Sequence, residues 1–282
     1  MCAESRQALA PGAVGAYGLR LENVERAKPL LIPAQPSWPR LTIRRRLGTG
    51  DAEHEWLSER AAVLKLQQGV IELDRGQGTA TFVLPHRIRT AELVHPLLAP
   101  AAAVMAYWLE RESFHASGVV AGGGVWGLIG ERGSGKSTTV GRLALEGVGI
   151  ACDDLLVVED SNALAGPRSV DLRRDAAEHL GVGEHLGLVG ARERWRLRVG
   201  PVPNSLPLLG WIFLAWGERV EVVAVGPGER LARLHANRGV NLPPPAPAAT
   251  LELAALPAWE LRRPRLWASL PSAVNCLLDA VA

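Results

Sequence analysis

Gly127-Leu128-Ile129-Gly130-Glu131-Arg132-Gly133-Ser134-Gly135-Lys136-Ser137-Thr138-Thr139 is a glycine-rich run, and its residues 130–137 have the spacing G-x-x-x-x-G-K-S of a phosphate-binding loop. The glycines permit backbone turns that a Cβ atom would block, so that N–H groups can point at phosphate oxygens. Lys136 adds a compact positive charge for the β- and γ-phosphates, and the Ser137 hydroxyl is a ligand for Mg²⁺. The run therefore predicts a site for a nucleoside triphosphate.

The residues on both sides of the run agree with this prediction. The apolar segment 124–129 is typical of a buried strand. Segment 138–146 has Val140, Leu143 and Ala144 on one helical face and is followed by Gly147, a residue that often ends a helix. A chance glycine-rich turn is the disfavoured alternative, because it explains neither flank. We expect the nucleotide to contact Gly130, Glu131, Arg132, Gly133, Ser134, Gly135, Lys136, Ser137 and Thr138.

The composition argues against several classes of protein. The chain has 282 residues, of which 48% are hydrophobic, so a sizeable core is expected and global disorder is not. A net charge of +2 is too balanced to favour nucleic acid or an anionic membrane as a partner. The three cysteines are widely spaced, and we find neither a signal peptide nor an apolar run long enough to cross a bilayer. We therefore expect a cytoplasmic protein.

The pattern divides the chain into three parts. Residues 1–15 are small and polar and are expected to form a loose tail. Residues 16–90 are predicted to form a small, mostly antiparallel β-rich unit, which either recognises a partner or extends the packing of the main domain. Residues 91–282 form the α/β domain that carries the glycine-rich run. The strand-like runs of the first unit lie at 16–22, 40–47, 62–66, 70–73 and 79–84.

Further elements of the main domain are predicted from periodicity. Residues 90–112 have helical spacing, with prolines that bend the start. Residues 114–120 resemble a strand, and 171–180 resemble a helix. The continuous apolar run 210–216 predicts a central strand, with 220–225 as its neighbour.

Two further features are candidates for chemistry. Asp153 and Asp154 are adjacent carboxylates between two predicted strands, and burying such a pair is costly unless it meets a cation or a proton. Beside a nucleotide, one carboxylate can hold Mg²⁺ and the other can accept the proton of an attacking hydroxyl. An ordinary acidic turn is the alternative. His115 lies one strand upstream of the loop, where a structural histidine is the more common case.

At this point the chain resembles a known family. The segments Phe114-His115-Ala116-Ser117 and Ala151-Cys152-Asp153-Asp154, on either side of the glycine-rich run, are similar to the catalytic domain of HPr serine kinase/phosphorylase. More distantly they resemble ATP-dependent phosphoenolpyruvate carboxykinases. The resemblance covers about residues 99–282. It implies a P-loop kinase fold of that type, with ATP and Mg²⁺ as cofactors.

The same resemblance implies roles for individual residues. Asp153 would be the catalytic base toward a serine hydroxyl, Asp154 and Ser137 would hold Mg²⁺, and His115 would lie near the transferred phosphate or the metal. Lys136 would neutralise charge on the phosphates. No strand of the hydrophobic-run-then-Asp type follows the loop, since the best late strand ends Ala215-Trp216-Gly217, so the acidic pair must supply the metal carboxylate.

The chain departs from that family in two places. The glycine- and asparagine-containing segment linked to the reverse phosphorolysis reaction is absent, and Gly166-Pro167-Arg168 occupies its region. The β-rich N-terminal unit resembles instead a diverged branch, some members of which are found with modified peptides such as lasso peptides. This resemblance favours a serine of a peptide or small protein as the phosphate acceptor.

The leading hypothesis is therefore an ATP-dependent serine or peptide kinase. Two alternatives stay open: a kinase for a small molecule such as an amino acid, and a nucleotide-binding regulatory module without transfer activity. Arg168, Arg173 and Arg174 could clamp phosphate or an acidic substrate, although solvated surface charges are the more common case. A homo-oligomer is also left open.

Overall fold

The computed structural model describes residues 12–50 and 54–282, and it is a mixed α/β structure. The strands are β1 Val14–Ala16, β2 Leu19–Glu22, β3 Ile32–Pro33, β4 Arg40–Leu47, β5 Trp56–Leu57, β6 Ala61–Leu66, β7 Gly69–Asp74, β8 Thr79–Leu84, β9 Glu112–Phe114, β10 Ala116–Ala121, β11 Gly124–Gly130, β12 Ile150–Cys152, β13 Leu156–Glu159, β14 Asn162–Leu164, β15 Ser169–Leu172, β16 Glu184–Val189, β17 Arg192–Arg198, β18 Ser205–Trp216, β19 Glu221–Ala224 and β20 Ala258–Arg263. The α-helices are α1 Thr90–Glu92, α2 Leu98–Trp108, α3 Lys136–Leu145, α4 Arg174–Leu180, α5 Pro227–Ala236, α6 Pro247–Ala255 and α7 Leu270–Val281. Shorter helical turns cover Glu25–Leu30, Leu93–Leu97 and Trp267–Ser269.

The first eight strands form one sheet in the order β3-β1-β2-β4-β8-β7-β6-β5. The strands predicted at 40–47, 62–66, 70–73 and 79–84 are confirmed as β4, β6, β7 and β8. The sheet is mixed, however, because β4 pairs in parallel with both β2 and β8. The prediction of a mostly antiparallel unit missed these pairs, since alternation within a strand carries no information about the direction of its neighbour.

The start of this sheet corrects two predictions. Residues 16–22 are not one strand but a tight hairpin of β1 and β2, because Tyr17 and Gly18 both have positive φ, as a two-residue turn requires. The predicted loose tail of residues 1–15 lies mostly outside the described residues. For the last residues of this segment the prediction is wrong, because Val14–Ala16 forms strand β1, which pairs with β2 on one side and β3 on the other.

The second sheet has the order β12-β10-β11-β18-β14-β13-β9, and β20 and β19 continue it from β18. The strand predicted at 210–216 is confirmed as part of β18, which is central and pairs with β11, β14 and β20. The segment 220–225 is not its neighbour, since β20 lies between β18 and β19. Periodicity identified the strand but could not reveal a partner that arrives from far along the chain.

Two other predicted elements are divided in the structure. The strand predicted at 114–120 is interrupted at His115, whose backbone N–H donates to Asn237 O at 2.7 Å, so that β9 and β10 pair with different strands. The helix predicted at 171–180 begins only at Arg174. Residues Ser169–Leu172 are instead a buried strand of a third sheet, ordered β15-β17-β16.

The core joins the two larger sheets. One continuous hydrophobic cluster includes Tyr17, Phe82, Trp108 and Trp211, which belong to elements from both ends of the chain. A second cluster packs α3 and α7 on the other side of the main sheet. The division into a tail, a β-rich unit and a main domain stays a prediction. Within the described ranges, no helix is long and apolar enough to cross a membrane.

Candidate functional site

Sheet topology brings the candidate residues to one edge. Strands β11, β12, β18 and β20 all run in the same direction, because β12 and β11 are each antiparallel to β10 and the others pair in parallel with β11 or β18. The carboxyl ends of these four strands and the amino end of β10 therefore meet at the same edge. In open α/β sheets this is where ligands bind.

The glycine-rich loop connects β11 to α3 at this edge, as the sequence predicted for a strand–loop–helix unit. Gly133 and Gly135 have φ values of +95° and +86°, which side-chain-bearing residues rarely adopt. Gly135 is the N-terminal cap of α3, so the N–H groups of the first helical turn open toward the loop. The Ser134 and Thr139 hydroxyls are buried without a hydrogen-bond partner in the structure.

Lys136 is held at the base of this loop. Its side chain is almost fully buried, and its amine donates a long hydrogen bond of 3.4 Å to His115 O. In the part of the chain that the structure describes, it has no carboxylate partner. A buried ammonium group with a single weak acceptor is suited to bind an anion that enters the cavity.

Asp153 lies behind the cavity wall and does not line it. Only 1% of its surface is exposed, and its Oδ1 accepts a hydrogen bond of 2.6 Å from Ser117 Oγ. Burial raises the pKa of Asp153, and the neighbouring charge of Asp154 raises it further. Ser117 belongs to the segment Phe114-His115-Ala116-Ser117, but the sequence analysis predicted no role for it.

Asp154, unlike Asp153, lines the cavity. It has a positive φ of 66°, and the N–H of Leu155 reaches back over it to Asp153 O at 2.9 Å, which makes a tight three-residue turn. Of the two adjacent carboxylates, one is therefore at the cavity and the other is buried. Burial alone would raise the pKa of Asp154, but the positive potential of neighbours led by His95 and Lys136 outweighs it and lowers the pKa.

His115 is exposed into the cavity through the break between β9 and β10. The cavity walls nevertheless enclose the imidazole enough to lower its pKa, and the charge of Lys136 lowers it further. A hydrogen bond to the backbone of Asp154 opposes this shift. A lowered pKa keeps the imidazole neutral at pH 7 and leaves it able to accept a proton.

These residues share one cavity of about 670 Å³. Of the predicted nucleotide contacts, all but Ser134 line it, together with His115 and Asp154. Arg173 also lines it, whereas Arg168 bonds to Pro29 O and Arg174 to Glu193. Sequence reasoning missed the rest of the lining, which is Gln67, Leu97, Asp171, Leu172, Asp175, Gly190, Ala191, Arg192, Arg194, Trp216, Arg263, Arg265, Leu266 and Trp267. These come from distant segments without a motif.

The described residues contain no group of three or more His, Cys, Asp or Glu side chains placed to hold a metal ion. Ser137 and Asp154 both line the cavity and are oxygen donors of the kind that Mg²⁺ prefers. A cation there would therefore need further ligands, such as phosphate oxygens or water.

The similarity of the chain to known proteins is detectable in structure and not in sequence. No protein-family model matches the chain, and no curated protein matches it in sequence. Among solved structures, the chain is similar to the Hpr(Ser) kinase/phosphatase from Coxiella burnetii, at 13% sequence identity, over 60% of this chain and 95% of that one, with a TM-score of 0.31.

Proposed function

We propose that this protein is a kinase that transfers the γ-phosphoryl group of ATP to the hydroxyl of a serine in a peptide or small protein. One observation carries the proposal. The glycine-rich loop, the Lys136 amine, the Ser137 hydroxyl, the Asp154 carboxylate and the His115 imidazole open into the same cavity at one sheet edge. Loop, cation, metal donors and proton acceptor are the parts that phosphoryl transfer to a hydroxyl needs.

The residues present fit a triphosphate. The positive φ of Gly133 and Gly135 turns the loop backbone into a concave surface before a helix N-terminus, an arrangement that binds phosphate. The Lys136 amine forms no direct ion pair with a carboxylate among the described residues, so phosphate oxygens can bind it directly. Glu131, Arg132, Ser134 and Thr138 complete the loop and the first helical turn.

The residues also fit Mg²⁺, which would be held by Ser137 and Asp154 together with phosphate oxygens. When bound, the metal neutralises negative charge on the phosphates. Asp154 suits this role because its lowered pKa keeps it ionised at neutral pH.

Two residues, Asp153 and His115, are candidate acceptors for the proton of the substrate hydroxyl. Asp153 was expected to accept it, but a general base must come within about 2.6–3.2 Å of the proton or act through one water. Asp153 lies behind the wall, bonded to Ser117. We assign the proton to the neutral imidazole of His115, which lines the cavity and is held by a hydrogen bond to the backbone of Asp154.

The test is transfer of labelled γ-phosphate from ATP to a panel of serine peptides, small proteins and free amino acids. Lys136→Ala should abolish transfer and weaken ATP binding at least tenfold, because the phosphates lose their main cation. Arg142→Ala, which changes an exposed pair with Glu146 on the same helix, is the matched control and should transfer normally. Normal turnover by Lys136→Ala would refute the phosphate-binding loop.

Single substitutions then separate the two assignments of the base. His115→Gln should lose transfer and retain ATP binding. If Asp153→Asn loses transfer while His115→Gln retains it, Asp153 is the base, as the sequence first suggested.

A small-molecule acceptor is the second candidate, because a cavity of about 670 Å³ lies within the range of enclosed small-ligand sites, roughly 300–1,000 Å³. The same acceptor panel decides between them. Transfer to a free amino acid but to no peptide would favour the small molecule.

A further inference from the structure

The two flanks of the glycine-rich loop differ in chemistry. On one side, β10 and β12 carry His115 and the acidic pair at their ends. On the other side, β18 and β20 end at Trp216 and Arg263, which are direct neighbours in the parallel ladder. We call the side with His115, Asp153 and Asp154 the acidic flank. Its outer strand, β12, is three strand positions from β18, which carries Trp216, and this corresponds to a separation of roughly 14 Å across the sheet.

The second flank exposes apolar surface to the cavity. Trp216, Leu266 and Trp267 are 36%, 65% and 38% exposed, and all three line the cavity. Large apolar side chains exposed together at a cavity rim commonly mark a binding site. Trp267 is further fixed by stacking on His179, with ring centroids 4.3 Å apart.

Arg263 connects this surface to the loop. It is 5% exposed and forms no ion pair within the described residues, and its guanidinium lies over the Trp216 ring at 4.5 Å. The exposed Arg265 guanidinium lies over the same ring at 5.7 Å, and a base that stacks there would displace this side chain. A Cβ atom at Gly135 would lie 2.8 Å from its Nη2 and 3.4 Å from Trp216 Cη2. The indole is thus held directly beside the N-terminal cap of α3.

We propose that Trp216, supported by Arg263, is the surface on which the heterocyclic base of the nucleoside triphosphate stacks, an inference that rests on the proposed function. A donor whose γ-phosphate faces the acidic flank must extend its nucleoside end toward the opposite flank. An aromatic ring is the side chain that binds a base by its face. The Arg263 guanidinium, which forms no ion pair among the described residues, adds positive charge between this ring and the glycine-rich loop.

The experiment compares ATP with inorganic tripolyphosphate, which has the phosphates but no base. Calorimetric titration of Trp216→Ala should show ATP binding weakened by roughly 5- to 150-fold, the range that base–aromatic stacking gives on alanine substitution. Tripolyphosphate binding should stay within about twofold of the wild type, and Trp216→Phe should restore most ATP affinity. Trp56→Ala is the matched control, since Trp56 is also exposed but lies on β5 outside the cavity.

The outcomes separate this inference from the proposed function. Unchanged ATP binding in Trp216→Ala would overturn it, as would an equal loss for tripolyphosphate, even if the wild type transfers phosphate normally. If the ligands respond as expected but no acceptor is phosphorylated, the base site stands and the kinase proposal fails. Absence of binding to both ligands in the wild type would overturn both. Circular dichroism and thermal unfolding of each variant exclude loss of fold as the cause.

Discussion

At the scale of single residues, Asp154 has a strained backbone conformation in the turn that places it at the cavity. A non-glycine residue with positive φ costs on the order of 1–2 kcal/mol, although Asp tolerates it better than most. We predict that Asp154→Gly abolishes transfer and gains less stability than Asp160→Gly, because relief of the backbone strain is offset by loss of a carboxylate whose lowered pKa shows that the fold stabilises its charge. Chemical denaturation and the labelled-phosphate assay measure the two effects.

Asp160→Gly is the control for Asp154→Gly. Asp160 also has positive φ, 46°, but lies exposed in the turn between β13 and β14. The Asp160→Gly variant should therefore be more stable than the wild type and should transfer phosphate normally. A destabilised Asp154→Gly would mean that the carboxylate makes contacts worth more than the strain.

The burial of Asp153 predicts a pH dependence of stability. Its pKa is raised in the folded state, so the folded protein binds more protons than the unfolded chain between the ordinary value of about 3.9 and the raised one. Stability should therefore fall as pH increases through that window. Asp153→Asn should remove the fall and be more stable than the wild type at pH 7, as measured by denaturation between pH 4 and 8.

The matched change for this prediction is Ser117→Ala, which removes the hydrogen bond to the carboxylate and leaves the acid in place. It should extend the same fall in stability to higher pH. An Asp153→Asn curve that runs parallel to the wild-type curve from pH 4 to 8 would contradict the raised pKa.

At the scale of elements, the glycine-rich loop allows two glycines to be compared. Both have positive φ, so alanine at either position should cost about 1–2 kcal/mol through the backbone. A Cβ atom at Gly133 meets nothing within 4 Å, whereas at Gly135 it meets Arg263 and Trp216. Gly135→Ala should therefore lower the melting temperature more than Gly133→Ala. Equal losses would show that Arg263 is not held against the loop.

Elements with a strong local pattern could be predicted from the sequence, and their partners could not. The strand before the loop and helix α3 follow from an apolar run and from helical spacing that ends at Gly147. The convergence of His115, Asp154 and Trp216 depends instead on strand order, because β20, which positions Arg263, pairs with β18 across a long segment. Nor could the sequence reveal that Asp154 lines the cavity whereas Asp153 is buried, since that depends on the backbone of one turn.

At the scale of the whole molecule, the N-terminal sheet and the main sheet are joined by buried contacts. Arg111 donates to Gly18 O at 3.1 Å and also pairs with Glu159, and the backbone N–H of Tyr17 donates to Ala165 O at 2.7 Å. Trp108 Nε1 donates to Ser58 O at 2.8 Å, and Gln67 of the β6–β7 turn reaches the cavity. The two sheets therefore depend on each other for burial and for the shape of the site.

This dependence predicts that residues 91–282 do not fold as the full chain does. Removing residues 1–90 would expose the buried face of α2 and leave Arg111 without its acceptor at Gly18. We expect the full chain to unfold in one calorimetric transition, and the shortened chain to show a broad transition at lower temperature and to lose ATP binding. A chain that begins at residue 12 is the matched control for truncation. If residues 91–282 alone unfold sharply at the temperature of the full chain, the N-terminal sheet is an independent unit and a role in binding the acceptor becomes its best explanation.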